Sequence, residues 1–174
     1  MSNALVFGVR NLVIKPVLTD PAIGAITYGT AVPVVGVNSA SVSLSQEQIE
    51  ARGDDVVQGL VSNPAGVVID FAIAKTNLEA AQLFVGGTFV CAVGLDTFTL
   101  KGNEYSGYIG VEFIGITDDN HQFTVTLAKA KAASYAMNFA DKGFASPTVQ
   151  VTGVPAKDLA ATGTPMLTMT LTTV

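Results

Sequence analysis

The stretch from Val34 to Lys75 constrains the fold more than any other part of the chain. Its opening run, VVGVNSASVSLS (Val34 to Ser45), puts Ala40, Val42 and Leu44 on one face and Ser39, Ser41, Ser43 and Ser45 on the other. Its closing run, GVVIDFAIAK (Gly66 to Lys75), sets Ile69, Phe71 and Ile73 against Asp70, Ala72 and Ala74. A period of two marks a strand. Ten residues or more at about 3.3 Å each reach roughly 33 Å, well beyond the usual strand of about 5–6 residues. Each strand therefore has one apolar face and one small or polar face. The connection between them, Gln46 to Ala65, is expected to be a long loop, and long loops inside compact domains are uncommon unless they are functional or disordered. This one carries Glu47, Ile49, Glu50, Arg52, Asp54, Asp55, Val56, Val57, Leu60 and Val61. Disordered linkers lack so many apolar residues. The loop is expected to fold against a neighbouring subunit.

Composition points the same way. Of 174 residues, 49% are hydrophobic and only 13% charged, against a usual charged share of about 25%. No run approaches the ~18 apolar residues of a membrane-spanning helix. A chain so poor in charge is expected to bury surface against partners. The length suits one domain, residues 1–174, with an apolar arm over 1–9 and a C-terminal loop and strand over 155–174. The net charge is -5 and the nine Lys and Arg residues are scattered, which argues against tight binding of nucleic acid through phosphate neutralisation. Cys91 is the single cysteine, so no disulfide framework is expected and a reducing compartment is. The N-terminus lacks the positive region and long apolar run of a signal peptide, so folding in a cytoplasm is expected.

Along the chain, Arg10 to Leu18 reads as a strand, and Ala22 to Ala31 as a loop. After Lys75 the period changes. Thr76 and Glu79 suggest a capping box, Leu78, Ala81, Gln82 and Val85 recur at helical spacing, and Gly86-Gly87 ends the run, giving a short helix over Asn77 to Phe84. Thr88 to Lys101 alternates around Gly94. Tyr105 to Thr117 and Gln122 to Lys131 read as a hairpin, with Ile109, Val111 and Phe113 on one face of the first strand and Phe123, Val125 and Leu127 on one face of the second. Ala132 to Lys142 is less regular. Phe144 to Val154 crosses Pro147 and reads as an edge or bent strand. Met166 to Val174 is a final Thr-rich strand. Seven or eight strands and one flanking helix predict a mainly β fold, a β-sandwich or partly closed barrel.

Catalytic chemistry is hard to find. His121 reads as a solvated turn residue without a positioned partner, and Cys91 as a buried, inert thiol. Asp118-Asp119-Asn120 lacks the spacing and closing Glu of a calcium loop. YSGYIG (Tyr105 to Gly110) does not match a phosphate-binding loop. Glu104 and Glu112 are the nearest approach to a carboxylate pair, and a solvated face explains them equally well. No enzyme activity, metal or cofactor is expected. Asp70, mid-strand on the non-apolar face, would be exposed in a monomer or line a channel in a closed ring.

Three stretches carry a resemblance: YGTAVPVVGVNSASVSLSQEQIEARGDD (Tyr28 to Asp55), the strand-to-helix passage from Gly66 to Gly86, and KAKAASYAMNFADKGFASPTVQVTGVPA (Lys129 to Ala156), in which FADKGFASPT is the most telling. In pattern and order the chain resembles the major tail tube proteins of long-tailed bacteriophages, a superfamily that includes other injection tubes. That resemblance implies hexameric rings whose subunits contribute long strands to a continuous inner β-barrel, stacked into a hollow tube through which genomic DNA is delivered. It implies that the 46–65 loop reaches the adjacent ring, with Glu47, Ile49, Glu50, Arg52, Asp54, Asp55, Val56, Val57 and Leu60 as contacts. The implied partners are other copies of the chain, a tape-measure protein, tail-tip and terminator proteins, and double-stranded DNA in transit. The implied location is the virion tail, after synthesis in a bacterial host cytoplasm. Ser39, Ser41, Ser43, Asp70, Ala72 and Ala74 are candidate lumen-facing positions, with the opposite facing open because a one-residue slip flips every side chain. A monomeric or small-oligomer β-sandwich binding module, a capsid decoration or adhesive domain, is the alternative.

Overall fold

The computed structural model describes residues 6–46, 48–53, 56–62, 66–75, 77–117, 121–139, 146–158 and 165–172. Thirteen strands and one helix lie along them. In chain order they are β1 (Val6–Thr19), β2 (Thr27–Tyr28), β3 (Val32–Val34), β4 (Val37–Ser45), β5 (Gln48–Gly53), β6 (Val56–Ser62), β7 (Gly66–Ile73), α1 (Leu78–Val85), β8 (Thr88–Ala92), β9 (Leu95–Thr99), β10 (Ile109–Thr117), β11 (Gln122–Asn138), β12 (Ser146–Gly153) and β13 (Leu167–Thr172). Nine of the strands join one antiparallel sheet with the path β2-β1-β10-β11-β12-β7-β4, to which β13 adds on β11 and β3 on β1.

The sheet folds over itself because β11 belongs to both of its halves. Residues Gln122–Leu127 lie between β10 and β13, while Ala130–Asn138 pair with β12. One layer is built on β1, β10 and the start of β11. The other is the end of β11 with β12, β7 and β4. Between them Leu12, Ile14, Val111, Val125 and Leu127 meet Val67, Ile69, Val149 and Val151, all almost fully buried. Phe71 of one layer and Phe113 of the other meet edge to face, with centroids 5.9 Å apart. The alternation in β7 and β12 sets this core, since every second residue points inward. β1 and β4 do not pair, so the sheet curls without closing. The result is a mainly β, sandwich-like fold, short of a closed barrel, in keeping with the expected sandwich or partly closed barrel.

Several local expectations are corrected. Within the connection expected to be a loop, the described residues pair as an antiparallel ribbon, β5 with β6, and β4 and β7 meet where Ser45 opposes Gly66. The run from Val34 is two strands, because Gly36 takes φ +77 between β3 and β4. Leu44 does not share the shelter of Ala40 and Val42; it is exposed near the end of β4. β1 begins earlier than Arg10, taking in Val6–Val9 of the expected arm, and two register shifts, with Gly8 and Asn11 at positive φ, hide its period. β11 runs to Asn138 through the stretch read as irregular, because a shift between Ala132 and Ser134 breaks the alternation. β12 is an internal strand, not an edge. Pro147 is its second residue, ahead of Thr148 where β7 joins, and the start of a strand is where a missing N–H is tolerated. Tyr105–Tyr108 precede β10 rather than belonging to it.

The helix is capped one residue later than the capping box implies. Asn77 is the N-cap, its Oδ1 accepting from the Ala80 N–H at 3.1 Å, and Thr76 lies outside the described residues. The buried stripe is Ala80, Ala81 and Phe84 rather than Leu78, Ala81, Gln82 and Val85. Phe84 stacks on Tyr135 of β11 at 6.2 Å, fixing α1 against the second layer. Gly86 ends the helix at φ +86, and a Cβ there would sit 2.7 Å from the Tyr105 backbone. β8 and β9 form a separate hairpin turned at Val93-Gly94.

Candidate assembly surface

The second layer carries a surface of aligned cross-strand rows. Register along β4, β7, β12 and the end of β11 places twelve residues in three cross-strand rows: Ser39, Ala72, Thr148 and Ala136; Ser41, Asp70, Gln150 and Ser134; Ser43, Val68, Thr152 and Lys131. None of the twelve is buried, whereas their alternating neighbours Val67, Ile69, Phe71, Val149 and Val151 form the core. The small side chains follow from the sequence pattern: a strand packed on one face leaves the other free for Ser, Thr and Ala.

Ser39, Ser41, Ser43, Asp70 and Ala72 thus share one face, and the structure brings them together with Ser134, Thr148, Gln150 and Thr152. Ala74 follows β7 and is exposed, its N–H donating to the Gly36 carbonyl at 2.6 Å. A shallow trough of about 330 Å³ crosses the middle of the face over Ser41, Asp70, Ser134 and Gln150. The Gln150 Nε2 donates to Asp70 Oδ1 at 2.8 Å. Asp70 and Lys131 are the two charged members of the twelve, so the face is close to neutral. Lys131 Nζ lies 6.0 Å from the centroid of the Tyr108 ring, at the outer reach of a cation–π contact.

Both long edges of this four-stranded unit are open. Among the described residues, β4 pairs with β7 alone, and Lys131–Asn138 pair with β12 alone. Unpaired edges present rows of N–H and C=O groups that a further strand can satisfy. The β5–β6 ribbon is connected to the unit at the end where Ser45 opposes Gly66. In it Ile49 opposes Val61, Glu50 opposes Leu60, Arg52 opposes Val57 and Gly53 opposes Val56. Glu47, Asp54 and Asp55 lie outside the described residues.

The candidate chemical groups do not assemble into a site. Cys91 is exposed on β8, not buried as its apolar surroundings suggested, because the β8–β9 hairpin stands outside the main sheet. A hydrogen bond and the negative charge of Asp96 push its thiol above the ordinary cysteine range, disfavouring the reactive thiolate. His121 is half-buried, and its role is carried by the backbone. Its N–H donates to Thr117 Oγ1 at 2.9 Å, and its carbonyl accepts from the Thr117 N–H and Oγ1 at 3.0 and 3.1 Å. Glu104 accepts from the Lys101 N–H at 2.9 Å, and Glu112 pairs with Lys15 at 2.9 Å, so each carboxylate has a partner of its own. Asp118, Asp119 and Asn120 lie outside the described residues. No group of three metal-ligating side chains occurs among the described residues, and no helix of the described residues is long and apolar enough to cross a membrane.

One cluster escaped the sequence reading. Lys129 sits where β11 carries an extra residue opposite β10, between the Val111–Leu127 and Ile109–Ala130 pairs. Its Nζ meets Asp20 Oδ2 at 2.6 Å, with the two side chains 6% and 9% exposed. It also donates to the Pro155 carbonyl at 3.4 Å and lies 4.4 Å over the Tyr108 ring. The Lys129 hydrogen bond, helped by the Lys157 N–H at 3.0 Å, holds the Asp20 carboxyl below the usual carboxylate range. A period of two cannot show a lysine turned inward by a bulge.

Comparison with known proteins finds no matching family model and no matching curated protein. Among solved structures, one chain of the cryo-EM structure of the anti-feeding prophage baseplate, 6-fold symmetrised, aligns with 15% sequence identity and a TM-score of 0.47, over 87% of this chain and 92% of that one.

Proposed function

We propose that this chain is a structural subunit that joins copies of itself edge to edge into rings, and that the rings stack into a hollow tube of the kind found in phage tails. The observation that carries the reading is the four-stranded unit with two open edges and one wet, small-residue face. Within it, direction alternates strand by strand. With an even number of strands, rotation about a ring axis brings β4 of one copy beside Lys131–Asn138 of the next in antiparallel sense. The inter-subunit ladder then has the same sense as the intra-subunit ones, and neither edge is left to aggregate. If six copies assemble, as the resemblance in sequence implies, 24 strands spaced ~4.8 Å and tilted about 40° close into a backbone ring roughly 48 Å across.

The three rows of Ser, Thr, Ala, Asp and Gln would then line the lumen. A duplex carries about one negative charge per 1.7 Å of axis, so a lumen rich in Lys and Arg would grip it. Rows in which Asp70 offsets Lys131 offer no such grip and suit passage of DNA without binding. In this reading the β5–β6 ribbon bridges to the adjacent ring, the tape-measure protein occupies the lumen during growth, and tail-tip and terminator proteins close the ends. The chain acts in the virion tail, without catalysis or cofactor.

Negative-stain electron microscopy of the purified chain at rising concentration tests the reading. Hollow tubes or six-fold rings are the expected result. Monomers that persist with baseplate and tape-measure protein added would overturn it in favour of a β-sandwich binding module.

A further inference from the structure

The Lys129 cluster lies in a telling place. Register along the four-stranded unit runs from the Ser39 row through the Asp70 row to the Ser43–Val68–Thr152–Lys131 row, and then to Ser45–Gly66 and Gly153–Ala130. At that end the chain passes from β4 towards β5 and returns from β6 to β7. At the same end the chain following β12 turns through Pro155 and Lys157, against the segment that follows β1.

That segment, Asp20 to Ile26, has no regular secondary structure, yet it is tied down at several points. Asp20 accepts from Lys129 Nζ and from the Lys157 N–H. The Gly24 N–H donates to Asp158 Oδ2 at 3.1 Å. Ile26 is buried with Ala128 and Ala156, beside Tyr28, whose hydroxyl donates to the Ala128 carbonyl at 2.7 Å. At its tip Ile23 is 90% exposed. A lone exposed isoleucine needs no explanation on a loose loop. Here the loop is anchored by a buried ion pair, and a buried ion pair is a poor source of net stability because both charges lose their water. Its better attested use is to fix one arrangement among several.

We propose that the Asp20–Ile26 segment, held in place by the Lys129–Asp20 clasp, is a preorganised contact that meets a second copy of this chain along the tube axis, with Ile23 as its apolar tip. The inference rests on the tube reading, since it needs the ribbon end of one ring to face the next. It adds to the ribbon a second, rigid contact at the same end. A tip already ordered loses little freedom on docking, so it adds apolar burial at small entropic cost. Lys129 and Asp20 are positioning residues: they hold the segment and do not touch the neighbour.

The test is polymerisation of the full-length chain, followed by sedimentation and electron microscopy. Ile23→Asp should keep the monomer's melting temperature and its six-fold rings, and raise the concentration needed for tubes by about tenfold or more. Ile23→Leu should polymerise as the parent chain does. Lys129→Met with Asp20→Leu should stay folded while raising the same threshold, because the clasp is replaced by apolar packing but the segment is no longer fixed. Tube formation by Ile23→Asp at the parent concentration overturns the contact and leaves the tube reading intact. Loss of rings as well as tubes in that variant overturns the axial placement. A parent chain that forms neither rings nor tubes even with baseplate and tape-measure protein added overturns the tube reading and this contact with it.

Discussion

At the scale of single residues, the Lys129–Asp20 pair contributes to how the molecule answers to acid. The Asp20 carboxyl titrates below its ordinary value of 3.8 in the folded chain. A depressed folded pKa gives stability that is complete above the unfolded value and is lost as pH falls through the folded one. The melting-temperature difference between the parent chain and Asp20→Asn should therefore be constant from neutral pH down to about pH 5 and shrink below about pH 4. Lys129→Met alone should lower the melting temperature at pH 7 by more than Lys129→Met with Asp20→Leu, since the single change strands a carboxylate that the double change removes. His121 is the opposite case. Its hydrogen bonds to Thr117 are made by its backbone N–H and carbonyl, which any residue but proline supplies. His121→Ala should leave assembly unchanged and shift stability within about 0.5 kcal/mol, as a denaturant titration would show. A large assembly defect would mean that the imidazole has a partner.

At the scale of elements, the helix and the ribbon depend on different things. α1 is only eight residues long, too short to persist without tertiary support. Its hold is Phe84 on Tyr135, the Asn77 cap and the Gly86 turn. Gly86→Ala should cost about 1–3 kcal/mol, from positive φ and from a Cβ driven into the Tyr105 backbone; calorimetry against the parent chain reads it. The β5–β6 ribbon pairs with no other strand among the described residues, and an isolated two-stranded hairpin is marginal in water. Deleting Gln48 to Ser62 should thus leave the melting temperature of the core little changed and block tube growth. Normal tubes from the deletion would remove the ribbon from any bridging role.

At the scale of the whole molecule, the neutral face is the feature to perturb. Asp70→Lys turns a row held by an Asp70–Gln150 hydrogen bond into a cationic one. If six subunits line a lumen, each ring gains about six positive charges beside a duplex and loses six negative ones. Genome release from particles carrying the variant should slow, and the slowing should relax as salt rises, because the added contacts are phosphate contacts. Unaltered release would put the rows elsewhere than the lumen.

The alternation in the amino-acid sequence by itself determined the strand character of β4 and β7, the facing of Ile69, Phe71 and Ile73, the polar side of β4 and the hairpin of β10 with β11, because side-chain period is a local property of an extended backbone. It likewise marked the position of the helix, whose buried stripe then depended on where Asn77 capped it. Tertiary structure alone decided what breaks that period or joins distant segments. The bulge that turns Lys129 inward, the shift at Ala132 that hid the end of β11, the ribbon in place of a loop, and the exposure of Cys91 all depend on which strand lies alongside. So does the candidate assembly surface. Each row draws on four strands whose residues lie up to a hundred or so positions apart, and only pairing between those strands places Ser41, Asp70, Gln150 and Ser134 side by side.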